Sequence, residues 1–436
     1  MKTSGSFLSA IILLACSCAC AYAQGATSAS TDGKIIEQAA YALPAYEELA
    51  ERFKRAYARE AVEKMRSSTE LELLKIRYMS DGLKIVGFIY KPKVVNKKLP
   101  AIIFNRGGLA DGAIGTANFN YLWEMHRYAS EGFVVLASQY RGTDGSEGRD
   151  EAGGADTNDV MNLIPLARAL NYVDMDRLFM WGYSRGAIMT LQAIRRGAPL
   201  RAAAVVGAPT DTTIQANNPG FLQFARSIYP DFDARKEEHL RSRSALFWVD
   251  KLDIPLLIIQ GGADPAVRPT QAMALAQKLD EAGKIYELII YAKDDHPVSQ
   301  NAEDRLRKTI DWFKNIRAIS IAQPVSKTIM EQGVEAAVRQ YYDLKKNQPE
   351  RYDFAERELN QLGYVLLAQG RVKDAIEIFK LNVAAYPQAF NTYDSLGEAY
   401  LANEERELAI RNYRKSLELN PQNTNARDVL KRLEQK

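Results

Sequence analysis

Six apolar runs that do not alternate with polar residues, near 100–104, 133–138, 177–181, 202–206, 254–260 and 285–291, constrain this chain more than any other feature. Runs such as Ala101-Ile102-Ile103-Phe104 and Leu256-Leu257-Ile258-Ile259 have no polar face to give to water. Such a strand must be covered on both sides, which implies a mostly parallel sheet between two layers of helices. The stretches between them, at 117–130, 156–170, 185–196, 268–282 and 299–316, carry apolar residues at helical spacing. Upstream, Leu71, Leu73 and Ile76 lie in an extended-looking run, and Asp81-Gly82 supplies a turn before Leu83 to Tyr90. That pattern predicts an antiparallel hairpin leading into the parallel sheet. The stretch 209–250 is longer than an ordinary connection and is expected to form a helical cap.

A length of 436 residues exceeds what one core serves, and the C-terminal part has its own signature. Leu362, Gly363, Ala375, Phe379 and Pro387 return 34 residues later as Leu396, Gly397, Ala409, Tyr413 and Pro421. This is the tetratricopeptide period, with Leu-Gly in the first helix and Ala, an aromatic and Pro in the second. Ala337, Tyr341 and Pro349 keep the spacing of the second helix and imply an earlier, degenerate half-repeat; 424–434 reads as a capping helix. Residues 332–436 are thus an all-α repeat domain, joined through a linker at 319–331 that contains Pro324. Such arrays present a groove for a protein partner or for self-association.

The N-terminus reads as a targeting segment. Lys2, an apolar run from Phe7 to Ala15 and Ala21-Tyr22-Ala23 form the pattern of a signal peptide ending at residue 23. The expectation is an exported protein, periplasmic or secreted. All three cysteines, Cys16, Cys18 and Cys20, lie in that segment, so a mature chain would lack disulfides and thiol ligands. Leu13-Leu14-Ala15-Cys16 offers an alternative, a lipid anchor at Cys16. Residues 24–68 read as a leader, flexible over 24–40, followed by a surface helix within 44–66. Net charge is +3, from 57 basic and 54 acidic residues, which gives no electrostatic reason to expect nucleic acid as a partner.

The chemistry concentrates at Gly182-Tyr183-Ser184-Arg185-Gly186, between the strand ending at Trp181 and a helix beginning near Ala187. A strand–turn–helix carrying G-x-S-x-G is a nucleophile elbow, so residues 69–318 are read as an α/β-hydrolase catalytic domain with Ser184 as nucleophile. Gly182 and Gly186 give the turn its space, and the Arg185 N–H at the helix N-terminus can face an oxyanion. The base is expected to be His296, in a loop after the last strand. His126 reads as a surface or boundary residue, and His239, among Arg235, Lys236, Glu237 and Glu238, as part of a solvated helix face. The acid is expected to be Asp264, in a Gly-rich turn after 254–260, with Asp211 as the alternative; Asp294 and Asp295 stand too close to His296 in sequence. A second oxyanion donor is expected from the backbone of Arg106 or Gly107 in Asn105-Arg106-Gly107-Gly108. No metal or organic cofactor is expected.

These residues, with Tyr140-Arg141-Gly142-Thr143-Asp144-Gly145, Gly154, Asp156, Asp159, Gly262-Ala263-Asp264 and Val267, resemble the catalytic domain of the prolyl oligopeptidase family of serine peptidases. The resemblance covers residues 70–318, somewhat over half the chain. It implies the triad Ser184, Asp264 and His296 and hydrolysis of peptide or ester bonds in a small peptide or acyl substrate through an acyl-enzyme. Larger members carry a β-propeller before this domain that limits substrate size. Fewer than 50 residues separate the expected cleavage site from the first strand here, so no propeller and no size filter are expected. No site for a free substrate N-terminus is evident, Arg106 stands where an aromatic or His is more usual, and Ala187 stands where another Gly is commoner. A carboxylesterase or deacylase remains an alternative, as does, in another class, a binding scaffold with an inert hydrolase domain.

Overall fold

A computed structural model describes residues 31–109, 114, 118–316, 319–349 and 352–435. The expected signal peptide, its cysteines and residues 24–30 lie outside the described residues. From Asp32 onward the described residues belong to one unit.

Nine strands form one sheet: β1 (Ile35–Ala40), β2 (Leu71–Ser80), β3 (Leu83–Pro92), β4 (Leu99–Asn105), β5 (Val134–Ser138), β6 (Val173–Tyr183), β7 (Ala202–Val206), β8 (Leu256–Gly261) and β9 (Tyr286–Tyr291). Their order is β1-β2-β3-β5-β4-β6-β7-β8-β9. The pairings from β1 to β5 across β2 and β3 are antiparallel, and all the others are parallel. Asp81 and Gly82 join β2 to β3 with φ of 51° and 77°, the left-handed pair that a two-residue hairpin turn needs.

The continuous apolar runs divide between two cores. Ile103, Leu136, Met180, Val205 and Ile258 point into one, and Ile102, Val135, Trp181, Val206 and Ile259 into the other. Successive strand side chains face opposite ways, so an unbroken apolar run serves both layers. Among the described residues, ten α-helices belong to this part: α1 (Glu51–Ala56), α2 (Arg59–Arg66), α3 (Phe119–Ser130), α4 (Thr157–Met161), α5 (Leu163–Ala169), α6 (Arg185–Arg195), α7 (Pro219–Ile228), α8 (Lys236–Ser242), α9 (Pro269–Glu281) and α10 (Ala302–Asn315). The first core takes residues of α4, α5, α6 and α9, and the second takes those of α1, α2, α3 and α10. Helices α7 and α8 fill the cap stretch and share a small cluster in which Tyr229, Phe232 and Leu240 meet Ala152.

Two readings of the connecting segments need correction. Residues 35–40 are not flexible: they pair antiparallel with β2, and five of the six side chains remain exposed. An edge strand held by backbone hydrogen bonds carries little apolar pattern. The linker is not a linker either. Ile319–Ser320 (β10) pairs with Tyr352–Asp353 (β11), and Ala322–Gln332 is helix α11. Pro324 sits in the first turn of α11, where no helical N–H is required.

That helix completes a pair with α12 (Val334–Asn347), so the degenerate half-repeat is a whole helical hairpin. The array continues as α13 (Glu356–Ala368), α14 (Val372–Ala385), α15 (Phe390–Ala402), α16 (Arg406–Leu419) and the terminal α17 (Thr424–Glu434). It has its own core, built from Ile321 to Leu433. The repeat glycines allow close helix contact. A Cβ on Gly363 would stand 2.4 Å from the Phe379 ring, and one on Gly397 would stand 3.1 Å from Tyr413. We expect Gly363→Leu to destabilise the array by about 1–3 kcal/mol through overpacking, read as an earlier urea transition of the full chain; an unchanged midpoint would contradict this packing.

Candidate active site

Ser184 sits between β6 and α6 with φ 53° and ψ −119°, a left-handed conformation rare for a residue with a side chain. The elbow is sterically enforced. A Cβ at Gly182 would be 2.3 Å from the Gly186 carbonyl oxygen, and one at Gly186 would be 1.9 Å from that of Asn105. The Ser184 N–H donates to the Val206 carbonyl at 2.9 Å, which ties the turn to β7.

The structure brings Ser184, His296 and Asp264 into one line. His296 Nε2 lies 2.9 Å from Ser184 Oγ, and its Nδ1 lies 2.6 Å from Asp264 Oδ2. The Asp264 carboxylate is buried and fully engaged. Oδ2 also accepts from Gln260 Nε2 at 2.9 Å, while Oδ1 accepts the N–H groups of Ala266 and Val267 at 2.8 and 2.9 Å. A carboxylate held at four points can orient the imidazole and meet its positive charge without moving. The alternative acid, Asp211, instead accepts from Thr213 in its own turn at 2.9 and 2.5 Å. Asp294 caps the chain at Gln300 and Asn301, at 3.0 Å each, and so shapes the His296 loop.

Gly207 belongs to this site although no motif marks it. It follows β7 with φ 55°, and a Cβ there would be 2.9 Å from the His296 ring. Gln260 escaped sequence reasoning for a similar reason: its role is visible only once Asp264 folds back beside it.

The expected oxyanion residues divide into backbone and side-chain roles. The Arg185 N–H lies in the first turn of α6, where no helical carbonyl precedes it. Gly107 packs against the residue before the nucleophile: a Cβ there would be 2.8 Å from the Tyr183 ring. The Arg106 side chain is wholly buried and builds the loop. Nη1 donates to the carbonyls of Gly107, Gly108 and Leu109 at 3.1, 3.4 and 2.8 Å, and Nη2 donates to that of Gln139 at 2.6 Å. Burial holds this guanidinium below its ordinary pKa.

Arg185 does the matching work from α6. Its guanidinium binds Asp150 at 2.6 Å and Asp156 at 2.5 Å, and donates to the Gly108 carbonyl at 2.9 Å. Burial opposes its charge, but Asp156 and Asp150 outweigh burial and keep its pKa above the usual arginine value. The Tyr140 ring lies between the two guanidinium groups, 4.7 Å from Arg106 and 4.5 Å from Arg185, and its hydroxyl donates to the Arg106 carbonyl. Asp159 fixes the same loop through Arg141, at 2.8 Å, and is structural.

The remaining histidines take no part. His126 is half-buried with Nδ1 2.9 Å from the Tyr90 hydroxyl, and burial, then Arg127, lowers its pKa to about 4. His239 does not lie on a solvated face. It is buried, stacked on Tyr229 at 5.4 Å, with Nε2 2.6 Å from the Pro230 carbonyl. The charged residues before it in sequence hid the apolar cap surface it faces.

Known proteins resemble the two halves separately. Residues 118–318 match the sequence profile of the prolyl oligopeptidase family, and residues 390–423 match that of the tetratricopeptide repeat. An uncharacterized peptidase of Bacillus subtilis, YtmA, is 28% identical over 251 residues, which is 57% of this chain and 95% of that protein. Dipeptidyl peptidase 8 of Homo sapiens is 26% identical over 234 residues, 50% of this chain but 25% of that protein. An acylaminoacyl peptidase solved with a Z-Gly-Gly-Phe-chloromethyl ketone superposes with a TM-score of 0.50 at 23% identity, over 57% of this chain and 42% of that one, a likeness of fold.

Two substitutions probe the site's frame. Gly207→Ala should push the imidazole aside and cut turnover by roughly 10²-fold while the protein stays folded, since a 1 Å misplacement costs about that much; unchanged kcat/KM would contradict the contact. Arg185→Ala would remove the ion-pair partner of the buried Asp156 and leave its charge only the N–H groups of Gly153 and Gly154. We expect about 3–5 kcal/mol lost stability, measured by urea denaturation.

Proposed function

We propose that this chain, whose residues 118–318 are a domain of the prolyl oligopeptidase family, is an exported serine peptidase that cleaves short peptides through an acyl-enzyme on Ser184. The observation that carries the reading is the hydrogen-bonded line from Ser184 Oγ through His296 to the buried Asp264. Family membership and the peptidase relative support the peptide bond as the target.

In this reading His296 Nε2 removes the Ser184 proton as Oγ attacks the carbonyl carbon. The C–O bond to serine forms, and the carbonyl electrons pass to oxygen. The backbone N–H groups of Arg185 and of the 106–107 segment face that oxyanion. As the tetrahedral species collapses, His296 gives its proton to the leaving nitrogen and the C–N bond breaks. Water then enters by the same route in reverse, restoring Ser184. Asp264 keeps Nδ1 protonated throughout, so that Nε2 can act as base. The repeats are read as a protein-binding module, the use to which stacked helical hairpins of this kind are put.

Turnover of a panel of blocked short peptides and matched esters tests the substrate class. We expect peptide amides to be cleaved, and Asp264→Asn to lower kcat about 10⁴-fold with the fold intact; cleavage of esters alone would shift the assignment to an esterase. The separate cores predict that removal of residues 319–436 preserves small-substrate turnover. Loss of that turnover in a folded truncated protein would mean that the repeats complete the site. N-terminal sequencing of the exported product tests cleavage after Ala23 against retention at Cys16.

A further inference from the structure

A cavity of about 600 Å³ lies on the α3 and α10 side of the sheet, directly beside the catalytic line. Its near wall includes Tyr183 and Pro297, the immediate chain neighbours of Ser184 and His296. The Tyr183 and His296 rings are 5.1 Å apart, so the tyrosine forms the step between the imidazole and the cavity. The opposite wall is aromatic. Tyr57, at the end of α1, and Trp123, on α3, line it with ring centroids 4.8 Å apart. Helix α2 contributes Ala61, whose short side chain leaves the space between the walls open.

Four of the five charged side chains that line this cavity are held in ion pairs, and the fifth, Arg52, lies over the Phe53 ring at 4.7 Å and donates to Asn118 Oδ1. Arg305 makes a bidentate pair with Glu124 at 2.6 and 2.9 Å, and Arg127 makes another with Glu303 at 2.6 Å for both contacts. At the Arg305–Glu124 and Arg127–Glu303 wall a charged ligand group would have to compete with a partner already in place, whereas a flat apolar group would find aromatic side chains along the cavity.

We propose that this cavity receives an aromatic side chain of the residue on the leaving-group side of the scissile bond, with Tyr57, Trp123 and Tyr183 determining that preference. The proposal rests on the reading of Ser184 as the acylated nucleophile. Its direction follows from the proton transfer. His296 Nε2 must hand its proton to the departing nitrogen, so the leaving group lies over the imidazole. The cavity adjoins that imidazole through Tyr183 and Pro297. The segment before the hairpin, which resembles no part of the catalytic motif, thereby supplies one wall of a substrate pocket.

Acyl transfer to added amines reads this side of the site alone. The amine nitrogen attacks the acyl carbon on Ser184 while His296 takes one of its protons. The C–N bond then forms, the C–O bond to serine breaks, and the proton returns to Oγ. The full-length enzyme would be acylated with acetyl-alanine p-nitrophenyl ester in the presence of phenylalanine amide or glycine amide, and the transfer products quantified. We expect transfer to phenylalanine amide to exceed that to glycine amide by about tenfold, the gain of roughly 1.4 kcal/mol that one aromatic contact supplies. Filling the cavity with Ala61→Trp, or emptying its wall with Tyr57→Ala, should bring the ratio within about threefold of unity. Equal transfer to both amides by the wild-type enzyme would overturn the proposal, as would a ratio that neither variant moves. Release of no p-nitrophenol at all would instead overturn the reading of Ser184 as nucleophile.

Discussion

Gly186 can lie where it does only because it has no side chain. A single carbon there would stand 1.9 Å from the Asn105 carbonyl oxygen. This contact presses the start of α6 onto the end of β4, and most of the site follows from it. The strand must turn into the helix within one residue, so Ser184 takes φ 53° and its side chain is lifted to the sheet edge. The loop leaving β4 must run beside the same helix start, where a Cβ on Gly186 would also stand 2.7 Å from the Arg106 carbonyl oxygen. The contact lies at the carboxyl ends of the central parallel strands, where open α/β sheets gather their ligands.

Such closeness leaves buried carbonyls that need donors, and two arginines supply them. Arg106 holds three consecutive carbonyls of its own loop, and Arg185 holds Gly108 from the other side. Both guanidinium groups would be costly to bury. Arg185 is compensated by Asp150 and Asp156, and each guanidinium lies over the Tyr140 ring. The frame is therefore rigid without being apolar. In the proposed mechanism such a frame would hold backbone donors in place for a developing charge, with little reorganisation during reaction.

Much of this was legible in the residues because it depends on local rules. The unbroken apolar runs forecast a sheet covered on both faces, and G-x-S-x-G at a strand–helix junction forecast the elbow. The order of Ser184, Asp264 and His296 forecast which side chains would meet. What stayed hidden depends on distant partners. Strand β1 has little apolar pattern because an edge needs only backbone bonds. Helix α11 carries Pro324 and Val325 where the repeats have Leu362 and Gly363, so the motif vanished although the hairpin formed. Gly207 and Gln260 gain their roles from His296 and Asp264, which lie on other strands or turns. The Tyr57–Trp123 wall arises only when the N-terminal helices pack on α3. His239 shows the converse, a charged neighbourhood in sequence that is a buried one in space.

The claim on which everything else rests is that Ser184 is an activated nucleophile. Incubation of the folded protein with a fluorophosphonate, followed by peptide mass mapping, tests it most directly. The account predicts one phosphonyl adduct, on Ser184, that is lost in His296→Ala. A folded protein that gains no adduct, or gains it on another residue, would contradict the account.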